Sequence, residues 1–225
     1  MPTYEVGPKP SQISSEVIAL LEQVETATIG HWRQWGFCHR GIQPLLRGKR
    51  VAGTAVTVAI PSLDSTMLHY ALGTLRPGDI LLVDRLGDNQ YACWGGGITI
   101  AAKTAGAKAG VVDGPCTDLE EVEASNFPVW CRGLAPLITR VTDLAGRMNV
   151  PVSIGGAVVM PGDAVLCDDS GVLIMSPHEA EAQARLAIDT QINHLAGQKK
   201  VAEGAKHGEL TGASAKVRAA LNLTA

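Results

Sequence analysis

The feature that most constrains the fold is an alternation. Short apolar, β-branched runs at residues 51–60, 80–83, 109–112 and 129–131 are separated by segments whose apolar residues recur at helical spacing: 63–75, 98–105 and the stretch following Asp118. Strands joined through helices run parallel, so four such runs in succession commit this part of the chain to an α/β architecture. Beyond it the pattern changes. Runs at 152–154, 157–160, 164–167 and 172–175 are separated only by Gly-Gly, Pro-Gly-Asp and Asp-Asp-Ser-Gly turns, as hairpin strands are.

The ends are simpler. Residues 1–10, broken by Pro and Gly, read as an arm that lies on another surface or is disordered. Residues 11–24 suit a helix capped by Ser14 or Ser15, and from Pro177 the chain is mostly helical, with a weakly held tail over its last dozen residues. No repeat or low-complexity linker interrupts the sequence. One domain is expected over 1–225, made of the arm, a core at 11–176 and a helical extension at 177–225. With 225 residues, 46% of them apolar, a sizeable core can be buried. A net charge of −3, and no basic cluster longer than Arg47-Gly48-Lys49-Arg50, argue against a nucleic-acid partner. Five cysteines, none in a C-x-x-C pair, fit a reducing cytoplasm, and neither a secretory signal nor a membrane-length apolar run stands out.

The chemistry concentrates between Trp94 and Glu121. Gly95, Gly96 and Gly97 precede the helical run at 98–105, so backbone N–H groups can converge at a helix start and hold an anion. Asp118 follows the strand at 109–112, where open α/β sheets bind ligands. It can serve as a hard oxygen ligand for Mg²⁺ or cap the helix through Glu120, Glu121 and Val122. Asp84 and Asp88 are solvated loop acids or face the same cavity, and Cys116 reads as a buried thiol rather than a nucleophile, since no base is supplied for it. His69 has no second ligand at i+4 and reads as a surface or core histidine. Only 4% of the chain is aromatic, yet Trp32, Trp35 and Phe37 cluster among His31, Arg33, His39 and Arg40. A helical turn would place both tryptophans on one face, filling the core or walling a pocket for an anionic group.

In order, V-A-G-T-A-V-T-V (51–58), R-P-G-D-I-L-L-V-D (76–84), the segment from Trp94 to Asp118 ending V-V-D-G-P-C-T-D, F-P-V-W-C-R-G (127–133) and M-P-G-D-A-V-L-C-D-D-S-G-V (160–172) resemble the RraA-like proteins. That family includes class II pyruvate aldolases acting on 4-hydroxy-4-methyl-2-oxoglutarate and 4-carboxy-4-hydroxy-2-oxoadipate, and the RraA regulators of ribonuclease E. The resemblance implies a swivelling β/β/α domain with mixed sheets and flanking helices, assembled as trimers or dimers of trimers with the site between subunits. It implies Mg²⁺ or Mn²⁺ held by Asp118, and the carboxylate of a small anionic substrate on the amides of Gly95, Gly96, Gly97 and Ile98 beside Trp94. Thr117 and Asp88 would act with Asp118, Thr117 on a substrate oxygen and Asp88 on a water or proton.

Three departures bear on activity. The family motif D-G-x-x-R-D has Thr117 in place of its arginine, and a hydroxyl cannot replace two charged hydrogen bonds to a carboxylate. Gly96 and Gly97 stand where acidic or polar residues are usual, and Gly30-His31-Trp32-Arg33 replaces S-D-A-L. An arginine elsewhere, among Arg33, Arg40, Arg85 and Arg132, would have to supply the missing cation. Asp189, Glu203 and Glu209 are alternatives for the family's acidic residue from a neighbouring subunit. A metal-dependent lyase of altered substrate is therefore expected, with a different reaction in the same pocket, hydrolysis or isomerisation, and a non-catalytic regulatory protein as alternatives.

Overall fold

The structure is a computed structural model that describes residues 3–223. An edge strand, β1 (Tyr4–Val6), leads to α1 (Ser15–Leu21), the single turn α2 (Thr26–Ile29) and the two-residue β2 (Gln43–Pro44). Three βα units follow: β3 (Val51–Ala59) with α3 (Thr66–Leu72), β4 (Asp79–Asp84) with α4 (Gly96–Thr104), and β5 (Ala109–Asp113) with α5 (Leu119–Ala124), closed by β6 (Val129–Cys131). Then come β7 (Gly146–Met148), a small hairpin of β8 (Val152–Ile154) and β9 (Ala157–Val159), a second hairpin of β10 (Ala164–Asp168) and β11 (Gly171–Met175), and the helices α6 (Pro177–Ala202), α7 (His207–Leu210) and α8 (Ala213–Leu221).

The main sheet runs β1-β7-β3-β4-β5-β6-β2, and β10–β11 joins it along the first half of β3. Strands β3 to β6 are parallel, as the alternation requires. β4 explains why. Ile80, Leu81, Leu82 and Val83 are all 0% exposed, because helices cover one face of the sheet and the β8–β9 hairpin the other; each side chain so buried contributes about 1.5–3 kcal/mol. Val56, Val58, Leu81 and Val83 pack under α3 and α4, whereas Ala55, Ile80, Leu82 and Val111 meet Ile154 and Val159 of the small hairpin. A third cluster joins α1 to the alanine stripe of α6, Ala180, Ala184 and Ala187, over Leu166 and Leu173. Ser176 begins α6 with a capping box, its hydroxyl facing the first turn while the Glu179 carboxylate returns to the Ser176 N–H at 3.0 Å.

Several elements depart from their expected form. The helix expected at 11–24 stops at Leu21, and α2 starts anew where the buried Asp168 carboxylate accepts from Thr26 N and Oγ1 at 2.8 and 2.7 Å. The described part of the arm is tied to the sheet, since Tyr4–Val6 pairs in parallel with β7. Trp32 and Trp35 do not share a face: Trp32 packs on the α1–α6 cluster with its indole N–H on Gln183 at 2.8 Å, and Trp35 is 65% exposed under the Arg33 guanidinium. Asp64 is fully buried and accepts from Thr66 N and Oγ1 at the start of α3 and from the N–H groups of Thr142, Leu144 and Ala145. It ties the 142–145 loop to α3. The expected loose tail includes α8, a nine-residue helix.

Candidate functional site

Trp94 fixes the glycine turn. Its ring is fully buried, stacks on Phe127 with centroids 6.3 Å apart, and lies where a Cβ on Gly110 would come within 2.5 Å. Its indole N–H donates to Thr99 Oγ1, which donates on to Gly95 O, both at 2.9 Å. A parallel bridge between Trp94 and Cys116, with Thr117 N donating to Trp94 O at 2.8 Å, lays the loop after β5 alongside the start of α4. That register brings Asp118 to the glycines.

Asp118 does not cap its own helix. It sits at the head of α5 in the left-handed region, φ 53° and ψ 46°, and its side chain makes no capping bond there. Instead Oδ2 accepts from Gly96 N, the first amide of α4, at 3.1 Å, and Oδ1 accepts from the Thr117 hydroxyl at 3.2 Å. Gly95 leaves room for this, since a Cβ there would stand 2.3 Å from Asp118 Oδ2. The next two amides, of Gly97 and Ile98, have no protein acceptor among the described residues, as the start of a helix leaves them.

A cavity of about 470 Å³ opens here. Of the residues expected at the site, Asp118, Thr117, Trp94, Gly95, Gly97 and Ile98 line it; Gly96 and Asp88 do not. The Gly96 amide is taken by Asp118. Asp88 closes its own loop, accepting from Gln90 N and Tyr91 N at 3.0 Å each, and faces the buried Arg85 at 3.4 Å. Asp84 is not a solvated loop acid: it accepts from Leu86 N and from Ser153 N of the β8–β9 hairpin, while Asp113 accepts from Gly155 N of the same hairpin.

None of the four arginines lines the cavity. Arg33 is clamped on Glu179 by two bonds of 2.8 and 2.9 Å, and Arg132 pairs with Asp113. The exposed Arg40 stays outside as well. Arg85 is fully buried, donating to Ser62 O while its Nε and Nη1 have no partner. The basic side chain that does reach the wall is His69, from α3. No motif marks it in the sequence; the available signal is its place on α3 three residues before Leu72, which lines the same cavity. Ile138 and Thr139 complete the wall from a loop that carries no motif. Cys116 is fully buried, and burial pushes its thiol well above the ordinary range, with Cys131 adding to the rise. It is an inert thiol.

The family pattern described as RraA-like, Aldolase/RraA, matches residues 23–174. The chain belongs to the RraA-like family. A candidate 4-hydroxy-4-methyl-2-oxoglutarate aldolase of Halalkalibacterium halodurans is 33% identical over 162 residues, covering 72% of this chain and 77% of that protein. An Arabidopsis thaliana protein named as a third such candidate aldolase is 30% identical, covering 60% of this chain and 82% of its own. Among solved structures, Streptomyces coelicolor RraAS2, described as an unusual member of the RNase ES inhibitor RraA family, superposes with a TM-score of 0.73 at 28% identity, over 83% of this chain and 98% of that one. The RraA-like match ends at the last strand, so α6 to α8 lie beyond it. No helix of the described residues is long and apolar enough to cross a membrane.

Proposed function

We propose that this RraA-like protein is a divalent-metal-dependent lyase that releases a pyruvate-type enolate from a small 2-oxo acid, by retro-aldol cleavage or decarboxylation. The observation that carries this reading is the Asp118 carboxylate, drawn away from its own helix to the mouth of α4 beside two free amides. The candidate aldolase names of its relatives point the same way.

The donor set suits Mg²⁺ or Mn²⁺. Among the described residues no three His, Cys, Asp or Glu side chains form a closed metal cage, but Mg²⁺ commonly takes one or two carboxylates and keeps waters. Asp118 is exposed, and among the described residues no cation pairs with it. Asp118 would hold the ion, which when bound supplies Lewis-acid polarisation of the 2-oxo carbonyl. The chain does the rest. The Gly97 and Ile98 amides receive the substrate carboxylate at the positive end of α4. The Thr117 hydroxyl can turn from Asp118 to a substrate oxygen. His69 is placed to hold or return the proton that Asp88 cannot reach. Leu72, Ala101 and Ile138 form the apolar side of the cavity, with Ile138 still 55% exposed in the single chain.

Without the motif arginine, and with no arginine or lysine lining the cavity among the described residues, substrates with a smaller or less charged leaving portion are favoured. The same absence supports the second reading, a different reaction in this pocket. Assembly as a trimer or dimer of trimers in the cytoplasm, with a neighbour completing the cavity, belongs to the proposal. The test is pyruvate release from 4-hydroxy-4-methyl-2-oxoglutarate and from oxaloacetate, with Mg²⁺ and with chelator, in wild type, Asp118→Ala and Thr117→Arg. Metal-dependent release lost in Asp118→Ala, and raised in Thr117→Arg, is the expected result. A silent wild type that binds metal through Asp118 would move the pocket to another reaction. One that binds no metal would leave a non-catalytic regulator.

A further inference from the structure

A second cavity, of about 510 Å³, lies between the segment that follows α2, inside the family match, and the helices α6 and α7, which extend past it. Its wall carries His31, His194 and His207 with Asn193 and Gln198 and, among the described residues, no carboxylate. The His31 and His194 rings meet edge to face, 4.8 Å between centroids and 60° between planes. An imidazole bound to a metal at ~2.0–2.1 Å places its centroid ~3.2 Å from the ion, so with one nitrogen of each ring turned to a shared ion, rings 4.8 Å apart would subtend roughly 100° there, within the range of tetrahedral and square-planar sites.

Both backbones are held. His31 N donates to Thr28 O at 3.2 Å. Gln191, one turn before His194 on α6, accepts from Glu25 N at 2.8 Å and Thr28 Oγ1 at 3.1 Å, and donates to Gln23 O at 2.9 Å. The α2–α6 contact therefore holds the two backbones from which the rings project.

We propose that His31 and His194 form a binding site for a first-row transition-metal cation such as Zn²⁺ or Cu²⁺, separate from the Asp118 cavity. Imidazole nitrogen suits these ions and not Mg²⁺, so the two sites select different metals. His207 stands on the same wall but does not complete a three-residue cluster, and water fills the remaining positions. A bound ion would staple the helical extension to the family core.

Calorimetric titration of the full chain with Zn²⁺ tests this, with Cu²⁺ electron paramagnetic resonance as a second readout. One equivalent of Zn²⁺ is expected to bind, with affinity reduced about tenfold or more in His31→Ala and in His194→Ala. His207→Ala and Asp118→Ala are expected to bind within about twofold of wild type. The copper spectrum should show nitrogen from two imidazoles. All three histidines are exposed, and His194→Gln, checked by thermal melting, guards against a folding artefact. Zn²⁺ binding that survives loss of both His31 and His194, binding that disappears in Asp118→Ala, or no binding by wild type would overturn the proposal.

Discussion

Replacing Gly95 by alanine separates what the site needs from what the fold needs. Gly95 has φ −145° and ψ −161°, extended backbone that alanine adopts without strain. The new Cβ would stand 2.3 Å from Asp118 Oδ2 and 2.8 Å from Thr117 Cγ2. Reaching an ordinary contact of ~3.5 Å requires the carboxylate to move by roughly 1 Å, which breaks its bond from Gly96 N. Because Asp118 is solvent-exposed, losing that bond should cost no more than about 1 kcal/mol of folding stability. A reacting or positioning group displaced by ~1 Å, by contrast, typically costs about 10²-fold in rate. Metal-dependent turnover, or Mn²⁺ affinity followed by electron paramagnetic resonance, should therefore fall by about two orders of magnitude while urea unfolding barely shifts. Undiminished turnover and Mn²⁺ affinity in Gly95→Ala would refute the placement of Asp118 at the centre of the site.

Three further outcomes follow from the same geometry. Burial opposes the charge of Asp64, but its bonds from Thr66, Thr142 and Leu144 hold the carboxyl far below the usual carboxylate range; Asp64→Asn should cost about 2–5 kcal/mol at pH 7. Because the folded value is depressed, this stabilisation is present above the unfolded value of ~3.9 and is lost as pH falls toward the folded one, so the gap between wild type and Asp64→Asn in urea melts should narrow from neutral pH to pH ~3. Gly110→Ala drives a methyl into the Trp94 ring and should destabilise by about 1–3 kcal/mol or more, with loss of near-ultraviolet signal from the buried indole. Burial raises the Cys93 thiol to about 12 and lifts Cys116 and Cys167 well above the ordinary range. An aromatic disulfide reagent at pH ~8 should therefore leave these three unmodified in the native chain and reach all five cysteines in denaturant; rapid native labelling of Cys116 would reopen its reading as a nucleophile.

What the sequence disclosed follows burial. β3, β4 and β5 were legible because strands covered on both faces are runs of Val, Ile, Leu and Ala that turn residues end sharply. The glycine turn and Asp118 were legible because their chemistry is local to a βα junction. β7 was not, since Gly146-Arg147-Met148 is a strand only through its partners β1 and β3. The Trp32–Trp35 segment is another case: helical spacing predicts a shared face, but α2 ends at Ile29 and the chain is not helical between the two tryptophans. Asp88 followed a strand end as a site acid should, yet its carboxylate answers two amides of its own loop. His69 gave no motif, because what makes it interesting is the cavity in front of it, which four separate segments enclose.

Asp118 also has a consequence for how such a protein changes over time. A non-glycine residue at φ 53° is tolerated by aspartate and asparagine better than by most, and most readily by glycine. Substitutions that relax this position are one step away and need not harm folding. Selection for thermal robustness alone would thus drift toward chains that melt later and no longer carry the carboxylate, so a library screened only for heat tolerance should accumulate Gly or Asn at position 118.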